Sequence, residues 1–302
     1  MLKISYEILL YLIIFIYSFC ESSSGYGLLK LFNGVKSTSL GENFCSVYGE
    51  PEALYSNPAG LVESQNFELR TAYLKWVADI NKGDIIVSKK INKDINFGLA
   101  ITYLWTEFES ISGNFSFSSY ILNLSAAKIV NDNFYIGING KAVEEGISFG
   151  SFSSLSAAVD FGMILRKQRL ALGAAIQNLG VTLSSTYHES DDLPLLLNFS
   201  LSYINSYNSL YLFGVKYNPV ENDTTLSFGY EFGFKKTIKE QFVFRVGYVM
   251  KLGSTIIEDN ELLNFRAGIG FRKEGLIIDY TLIPVSFDLG FYHYIGLGIS
   301  YY

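Results

Sequence analysis

The sequence predicts an all-β fold: a transmembrane antiparallel β-barrel of about 14 strands, with an N-terminal plug segment in the lumen. Three observations predict it. Of the 302 residues, 16% are aromatic and only 17% are charged, whereas an average soluble domain has about 25% charged residues. Large apolar residues alternate with small or polar ones after residue 67. The connections between the alternating segments are short and long in turn, as in bacterial outer-membrane barrels.

Residues 1–24 are predicted to be a signal peptide. Lys3 precedes an apolar run over residues 8–19, and small polar residues follow the run. The run is shorter than the roughly 20 residues that a membrane-spanning helix needs. Cys20 raises the alternative of a lipoprotein, but the bulky Phe19 stands where a small residue is expected. In either case we expect the chain to leave the cytoplasm.

Residues 25–66 are predicted to form the plug. The segment is rich in glycine and does not alternate in polarity, yet it contains apolar residues such as Leu54 and Tyr55, which a flexible linker would lack. Asn before Pro disfavours a helix and favours a compact turn. We expect that turn to seat the plug in the lumen, and its residues are Asn57, Pro58, Ala59, Gly60 and Leu61.

Residues 67–302 are predicted to form the barrel. The third alternating segment shows the pattern, with Phe97 and Ile101 on one face and Ala100 and Thr102 on the other. A water-soluble β-sandwich is the alternative. Its core would need side chains of interdigitating sizes, whereas this apolar face is uniformly large and aromatic. A barrel in lipid requires such an apolar outside and a polar inside.

The segments are predicted to begin near residues 67, 84, 95, 118, 134, 152, 169, 193, 209, 224, 241, 262, 275 and 289. If the chain enters the barrel from the periplasm, the longer connections lie outside. A lumen enclosed by about 14 strands is wide enough to need a plug or to pass water.

Charged residues on the polar face are predicted to point into the lumen, because Arg or Lys on the lipid face costs about 2–4 kcal/mol at the membrane midplane. They are Lys141, Asp160, Lys216, Glu231, Arg245, Arg266 and Asp279. Pairing across strands and contact with the plug are both open interpretations. Glu231, Arg245 and Arg266 are candidate partners for the backbone amides of the plug turn.

Several classes of function are disfavoured. The net charge of −6 opposes binding to nucleic acid. Two histidines and two cysteines are too few for a metal cluster, and no cofactor motif is present. His188 lies beside acidic and hydroxyl residues, but no nucleophile motif accompanies it. We therefore expect no catalytic residues, no metal and no cofactor.

Five motifs resemble the PorV/PorQ branch of the FadL-like outer-membrane barrels. The plug turn lies in an ALY-x-NPAGL motif at residues 53–61, and W-x-A-D-I follows at 76–80. QNLG lies at 177–180 and LPL at 193–195, and DLG…H-x-I-x-L lies in the last predicted strand region at 288–297. The chain departs from the family where the usual GMGGAF is reduced to Ser-Leu-Gly-Glu-Asn-Phe ahead of the first motif.

The resemblance implies a place in the bacterial outer membrane, in contact with its lipid. FadL-like proteins resemble passive transporters of hydrophobic small molecules, whose plug blocks the barrel and whose substrates leave sideways into the membrane. PorV-like members look like accessory shuttles for protein secretion, with secreted cargo proteins as partners, and this is the alternative function. A third possibility, an open diffusion pore, requires a mobile or absent plug. The predicted outer loop over residues 180–193 offers few apolar residues for capturing a ligand.

Overall fold

The computed structural model of the protein describes residues 26–31, 33–76, 79–110, 113–148, 152–186, 192–235, 240–252, 264–286 and 290–301. The predicted signal peptide, including Cys20, lies outside the described residues. So do His188 and parts of two family motifs, Ala78 and 288–289.

Fourteen antiparallel strands form a closed barrel in the described part of the chain, as the sequence predicts. Each strand pairs with its neighbours in the sequence, and the first strand pairs with the last, with Phe67 opposite Tyr301 and Lys75 opposite His293. The strands are β1 (Phe67–Lys75), β2 (Asn81–Lys90), β3 (Ile95–Ser110), β4 (Gly113–Asn131), β5 (Phe134–Ile147), β6 (Phe152–Lys167), β7 (Leu170–Ser185), β8 (Leu196–Ile204), β9 (Leu210–Asn218), β10 (Asp223–Lys235), β11 (Glu240–Leu252), β12 (Phe265–Lys273), β13 (Leu276–Ser286) and β14 (Gly290–Tyr301).

The alternation of polarity becomes an alternation of burial. On β3, Phe97 and Ile101 are 49% and 43% exposed on the outside, whereas Ala100 and Thr102 are fully buried inside. Pairing of the first strand with the last closes the described barrel, so that none of its strands is an edge strand, as a β structure in lipid requires. The apolar residues therefore face the membrane.

Aromatic rings gather on the outer surface near one end. Tyr103 stacks on Trp105 with centroids 4.9 Å apart and on Tyr120 at 4.3 Å, and Tyr73 lies 6.4 Å from Trp105. Aromatic girdles of this kind mark the boundary between membrane and water in outer-membrane barrels. The two longest connections, between β7 and β8 and between β11 and β12, also lie at this end. We call it the outer end, and the opposite end the inner end.

The barrel wall has unequal height. Strands β3 to β7 have between 14 and 19 residues, whereas β8 and β9 have nine each. Strand β8 starts later than the predicted residue 193, since Pro194 has no backbone N–H to donate to a ladder. The taller half of the wall therefore projects beyond the outer end of β8 and β9.

The N-terminal segment fills the lumen. It contains two short helices, α1 (Gly27–Lys30) and α2 (Val35–Ser39), and two 3₁₀ turns, Pro51–Tyr55 and Pro58–Leu61. None of the described helices is long and apolar enough to cross a membrane. Helix α2 packs against β11 to β14, and the second 3₁₀ turn packs against β3 to β6. We call residues 26–66 the plug.

Candidate functional site

The turn that the sequence singles out is held by Asn57. Its Oδ1 accepts a hydrogen bond from the backbone N–H of Ala59 at 3.0 Å and thereby caps the second 3₁₀ turn. Its Nδ2 donates to the carbonyl of Cys45 at 2.7 Å and to the carbonyl of Met163 on β6 at 3.0 Å. A single buried side chain thus shapes the turn and ties it to the rest of the plug and to the wall.

Glycines of the wall make room for this turn. A Cβ added at Gly137 on β5 would collide with the backbone of Ala59, and one added at Gly162 on β6 would collide with Asn57 Oδ1. These two glycines lie opposite each other in the β5–β6 ladder. Their absent side chains let the plug backbone approach the wall directly, so the small residues on the inner face are seats for the plug.

An apolar cluster surrounds the turn. Leu54, Leu61 and Val62 of the plug are fully buried against the wall side chains Ile86 and Ile164. Burying apolar surface stabilises the folded protein by about 25 cal/mol per Å² of surface removed from water. This cluster holds the plug without requiring a charge.

The charged contacts of the plug centre on Glu50. Its carboxylate lies 2.8 Å from the Lys36 ammonium and 2.5 Å from the Arg70 guanidinium of β1. Burial alone would raise the pKa of Glu50, but these cations hold the pKa well below its ordinary value. The neighbouring Glu52 accepts a hydrogen bond from the Ser37 backbone N–H at 3.0 Å, and burial raises the pKa of its carboxyl.

The predicted lumen charges continue this network along the wall. Arg245 on β11 contacts Glu231 on β10 and Asp279 on β13, each at 2.7 Å. Lys36 of the plug reaches Glu231 at 3.3 Å. Glu231 therefore takes part in both a cross-strand ion pair and a contact with the plug.

The other four predicted lumen charges lie elsewhere on the wall. Lys141 on β5 pairs with Asp160 on β6 at 2.8 Å. Arg266 on β12 pairs with Glu42 of the plug at 3.0 Å. Lys216 on β9 faces a polar cavity in the lumen.

The structure places the partners of the plug turn differently from the sequence-based expectation. Glu231, Arg245 and Arg266 contact other plug residues or one another, whereas the turn is satisfied by Asn57 and by wall carbonyls. The physical reason is that glycines bring the turn against the backbone of β5 and β6, where side chains of β10 to β12 do not reach.

Another buried network was missed by the sequence analysis. On β2, Lys82 Nζ lies 2.7 Å from Asp84 and 3.0 Å from the Tyr294 hydroxyl of β14, and that hydroxyl also bonds to Asp84. The Gly34 backbone N–H of the plug donates to Tyr294 at 3.3 Å. The alternation of polarity in β2 is enough to predict that Lys82 and Asp84 face the lumen. No local pattern in the sequence predicts their contact with Tyr294.

An apolar cluster lies in the outer half of the lumen. Helix α1 buries Leu28 and Leu29 against wall residues that share an apolar character, namely Leu104, Ile121, Val143, Ala158 and Leu193. The Tyr26 hydroxyl accepts a hydrogen bond from Ser156 at 2.5 Å and lies 3.0 Å from the Thr182 hydroxyl. Helix α1 thus covers a concave apolar surface, which we call the outer apolar site.

Aromatic residues extend this surface to the mouth of the barrel. Phe108 on β3 continues the inward face of Leu104, and it stacks on its cross-strand partner Phe115 of β4 with centroids 5.2 Å apart. Phe117 on β4 packs against the outer apolar site. The projecting half of the wall therefore presents apolar rings toward the barrel axis.

The ladder between β7 and β8 is short. Pairing ends at Gln177 opposite Leu196, although β7 continues to Ser185. Just beyond the last pair, Asn178 Nδ2 donates to the Pro194 carbonyl at 2.9 Å, and the Asn178 backbone N–H donates to Asp160 at 2.7 Å. Side-chain contacts replace a strand ladder at this part of the wall.

No protein-family model matches this sequence, and no relative is found among curated proteins. Solved structures are similar in fold. The CymD monoaromatic hydrocarbon channel has a TM-score of 0.63 and 11% identity, over 90% of this chain and 98% of that chain. The Pseudomonas putida toluene transporter TodX has a TM-score of 0.59 and 13% identity, over 93% of this chain and 98% of that chain.

These likenesses show the fold that the sequence motifs predict. Over its described residues the chain forms a closed antiparallel β-barrel of fourteen strands with an apolar outer surface, and this fold is similar to that of the two channels. The assignment to the PorV/PorQ branch remains a prediction from the motifs.

Proposed function

We propose that this protein is a passive transporter of hydrophobic small molecules across the outer membrane. The observation that carries the proposal is the outer apolar site, covered by α1 and continued to the mouth by Phe108 and Phe115. Concave apolar surfaces with a few polar groups are the usual sites for small apolar ligands. A site of this kind at the outer end is where a molecule arriving from outside would be captured.

The plug is the proposed gate. Below the outer apolar site the lumen is occupied by the plug turn, its apolar cluster and the ion pairs of Glu50. A ligand that displaces α1 therefore needs either a movement of the plug or an exit through the wall. The interrupted ladder after Gln177 is the proposed exit into the membrane, because fewer backbone hydrogen bonds hold the wall there.

The similar structures support the same class of substrate by analogy of fold. They are a channel for monoaromatic hydrocarbons and a toluene transporter. Fold analogy alone does not assign a substrate, so the argument depends on the apolar lining. Toluene is nevertheless a suitable probe.

Uptake of radiolabelled toluene by cells lacking the protein, complemented with variants, tests this function. Wild type should restore fast uptake, and Ile121→Asn should reduce it, because an amide would enter the apolar site. Ile121→Val is the matched control and should transport as wild type does. The amount of folded protein in the outer membrane is compared between variants from the intensity of the heat-modifiable band on a gel.

Equal uptake with and without the protein would contradict the proposal. If, in addition, particular surface proteins accumulate in the periplasm of the deletion strain, the PorV-like secretion function replaces it.

A further inference from the structure

An arc of lysines lies on the outward side of the wall at its inner end. It consists of Lys89 on β2, Lys128 on β4 and Lys167 on β6, and all three side chains are exposed. The alternation of each strand gives the direction of the side chains, since Lys89 continues the outward row of Ile85 and Lys167 that of Leu165. The arc therefore places one ammonium on every second strand from β2 to β6, on the side of the wall that faces lipid.

These lysines lie at the inner edge of the apolar band. Val130 follows Lys128 on the same face of β4 and is 47% exposed, and Ile91, just beyond Lys89, is 53% exposed. The partner of Lys89 in the β2–β3 ladder is the exposed Phe97. Apolar side chains thus flank the lysines along their strands. A lysine in this position lays its carbon chain along apolar surface and extends its ammonium to the level of the lipid head groups.

The arc carries uncompensated positive charge. Within the described residues none of its three lysines forms an ion pair. The outward Lys273 on β12, also at the inner end, is different, because its ammonium lies 2.7 Å from Glu240 of β11. At the outer end the outward rows of β3 and β5 end in exposed acids, Glu107 and Glu144. The lipid-facing surface over β2 to β6 is therefore basic at the inner end and acidic at the outer end.

We propose that this arc binds the phosphate groups of anionic phospholipids in the leaflet at the inner end of the barrel. Lysines near a membrane surface attract anionic lipid, and an ammonium donates charge-assisted hydrogen bonds to phosphate oxygens. Phe97 marks the centre of the site. Lys89 is its partner on β2, and Lys128 is the partner of Ile95, the preceding outward residue of β3. The chain of a lipid held by these two lysines would pack against Phe97.

A lipid fits this surface better than an acidic water-soluble protein does. Lysines flanked by exposed apolar side chains are covered by the membrane, and a soluble protein contacts only the groups beyond it. The connections that extend into water next to the arc carry both signs of charge, Lys93 with Asp94 after β2, or an acid, Asp132, after β4. The inference does not depend on the proposed transport function, since the arc lies outside the lumen.

Tryptophan quenching by brominated lipids tests the proposal at its central position. The protein with Trp76→Phe and Trp105→Phe, and with Phe97→Trp as the reporter, is refolded into vesicles of phosphatidylcholine and phosphatidylglycerol, with one of the two lipids brominated in its chains. The ratio of the two lipid-binding constants at residue 97 should be about fivefold in favour of phosphatidylglycerol. It should fall as salt is added, because salt screens exposed charges.

Variants of the lysines identify the cause of this preference. Lys89→Gln with Lys128→Gln should bring the ratio close to one, whereas Lys89→Arg with Lys128→Arg, which keeps both charges, should retain it. Lys75→Gln with Lys251→Gln is the matched control, because it removes the same charge from exposed positions at the outer end. It should leave the ratio unchanged. Heat-modifiable gel mobility verifies that each variant is folded.

Phe242→Trp on β11 is a second reporter. Its ladder partner Phe271 is the outward residue preceding Lys273, the lysine that is paired with Glu240. The ratio at residue 242 should therefore be close to one.

A ratio close to one at residue 97 with both lysines present would overturn the proposal and leave an acidic protein as the partner of the arc. An unchanged ratio in Lys89→Gln with Lys128→Gln would also overturn it. So would an equal preference for phosphatidylglycerol at residues 97 and 242.

Discussion

Arg70 on the first strand contacts Glu50 of the plug, with Nη2 2.5 Å from Oε2. The same guanidinium uses Nε to reach Glu68 Oε1 at 2.5 Å and Nη1 to reach Glu52 at 3.4 Å. One buried arginine therefore joins a wall strand to two carboxylates of the plug. The chain enters the barrel at β1, so this contact anchors the plug close to its covalent attachment.

Replacing Arg70 by Met should destabilise the protein strongly. Removing one partner of a buried ion pair leaves an uncompensated charge and costs about 3–5 kcal/mol. The free energy of unfolding is measured by urea titration of the refolded barrel in lipid vesicles. Lys75→Met on the same strand is the control, because its pair with Asp79 is 61% and 80% exposed and such pairs contribute about 0–1 kcal/mol. Equal effects of the two substitutions would show that the Arg70 contacts do not hold the plug.

Adding a methyl group at Gly162 should push the plug turn from its seat. The new Cβ would meet Asn57 Oδ1, whereas the nearest atom to a Cβ at Gly140 is the Leu124 carbonyl oxygen at 4.0 Å. Overpacking costs about 1–3 kcal/mol, so Gly162→Ala should lower the free energy of unfolding by that amount. Gly140→Ala should leave it nearly unchanged. If Gly162→Ala left the free energy of unfolding unchanged, the turn would not lie against β6.

Cys45 reports on the position of the plug. It is fully buried, and burial raises the pKa of its thiol from 9.0 to about 12. Because only the thiolate reacts, at pH 8 about a thousandfold less of the reactive form is present than for an ordinary thiol. Maleimide labelling of the folded protein should therefore be very slow and should rise with pH.

Gly162→Ala should accelerate this labelling and Gly140→Ala should not, because only the first displaces Asn57, whose side chain is hydrogen-bonded to the Cys45 carbonyl. Fast labelling of the wild type at pH 8 would indicate that the plug opens spontaneously.

The strands could be predicted from the sequence because one face of each strand contacts lipid and the other faces the lumen. Alternation in β3, such as Phe97 with Ala100, follows directly from lipid on one side and protein on the other. The same rule places Lys141 and Arg245 in the lumen. It also applies to Glu68, Arg70, Lys82 and Asp84, whose inward direction was not drawn from the sequence.

The contacts between plug and wall could not be predicted. They join residues far apart in the chain, such as Lys36 with Glu231 and Gly34 with Tyr294, and no local pattern encodes such a pairing. The outer apolar site depends on inward residues of four strands and on α1. The sequence offers only the outer loop over residues 180–193 as a candidate capture surface, whereas the proposed capture surface is formed by strands that project beyond the rest of the wall.

The central claim is that the N-terminal segment closes an otherwise open barrel, and planar-bilayer conductance tests it most directly. The intact protein should be nearly silent. The variant lacking Asn33 to Leu61 should conduct ions, because the lumen enclosed by fourteen strands loses the turn, the apolar cluster and the ion pairs that fill it. Circular dichroism and heat-modifiable mobility verify that the shortened protein still forms a barrel. The same low conductance from the intact and the shortened protein would contradict the claim, since the inward side chains of the wall would then fill the lumen alone.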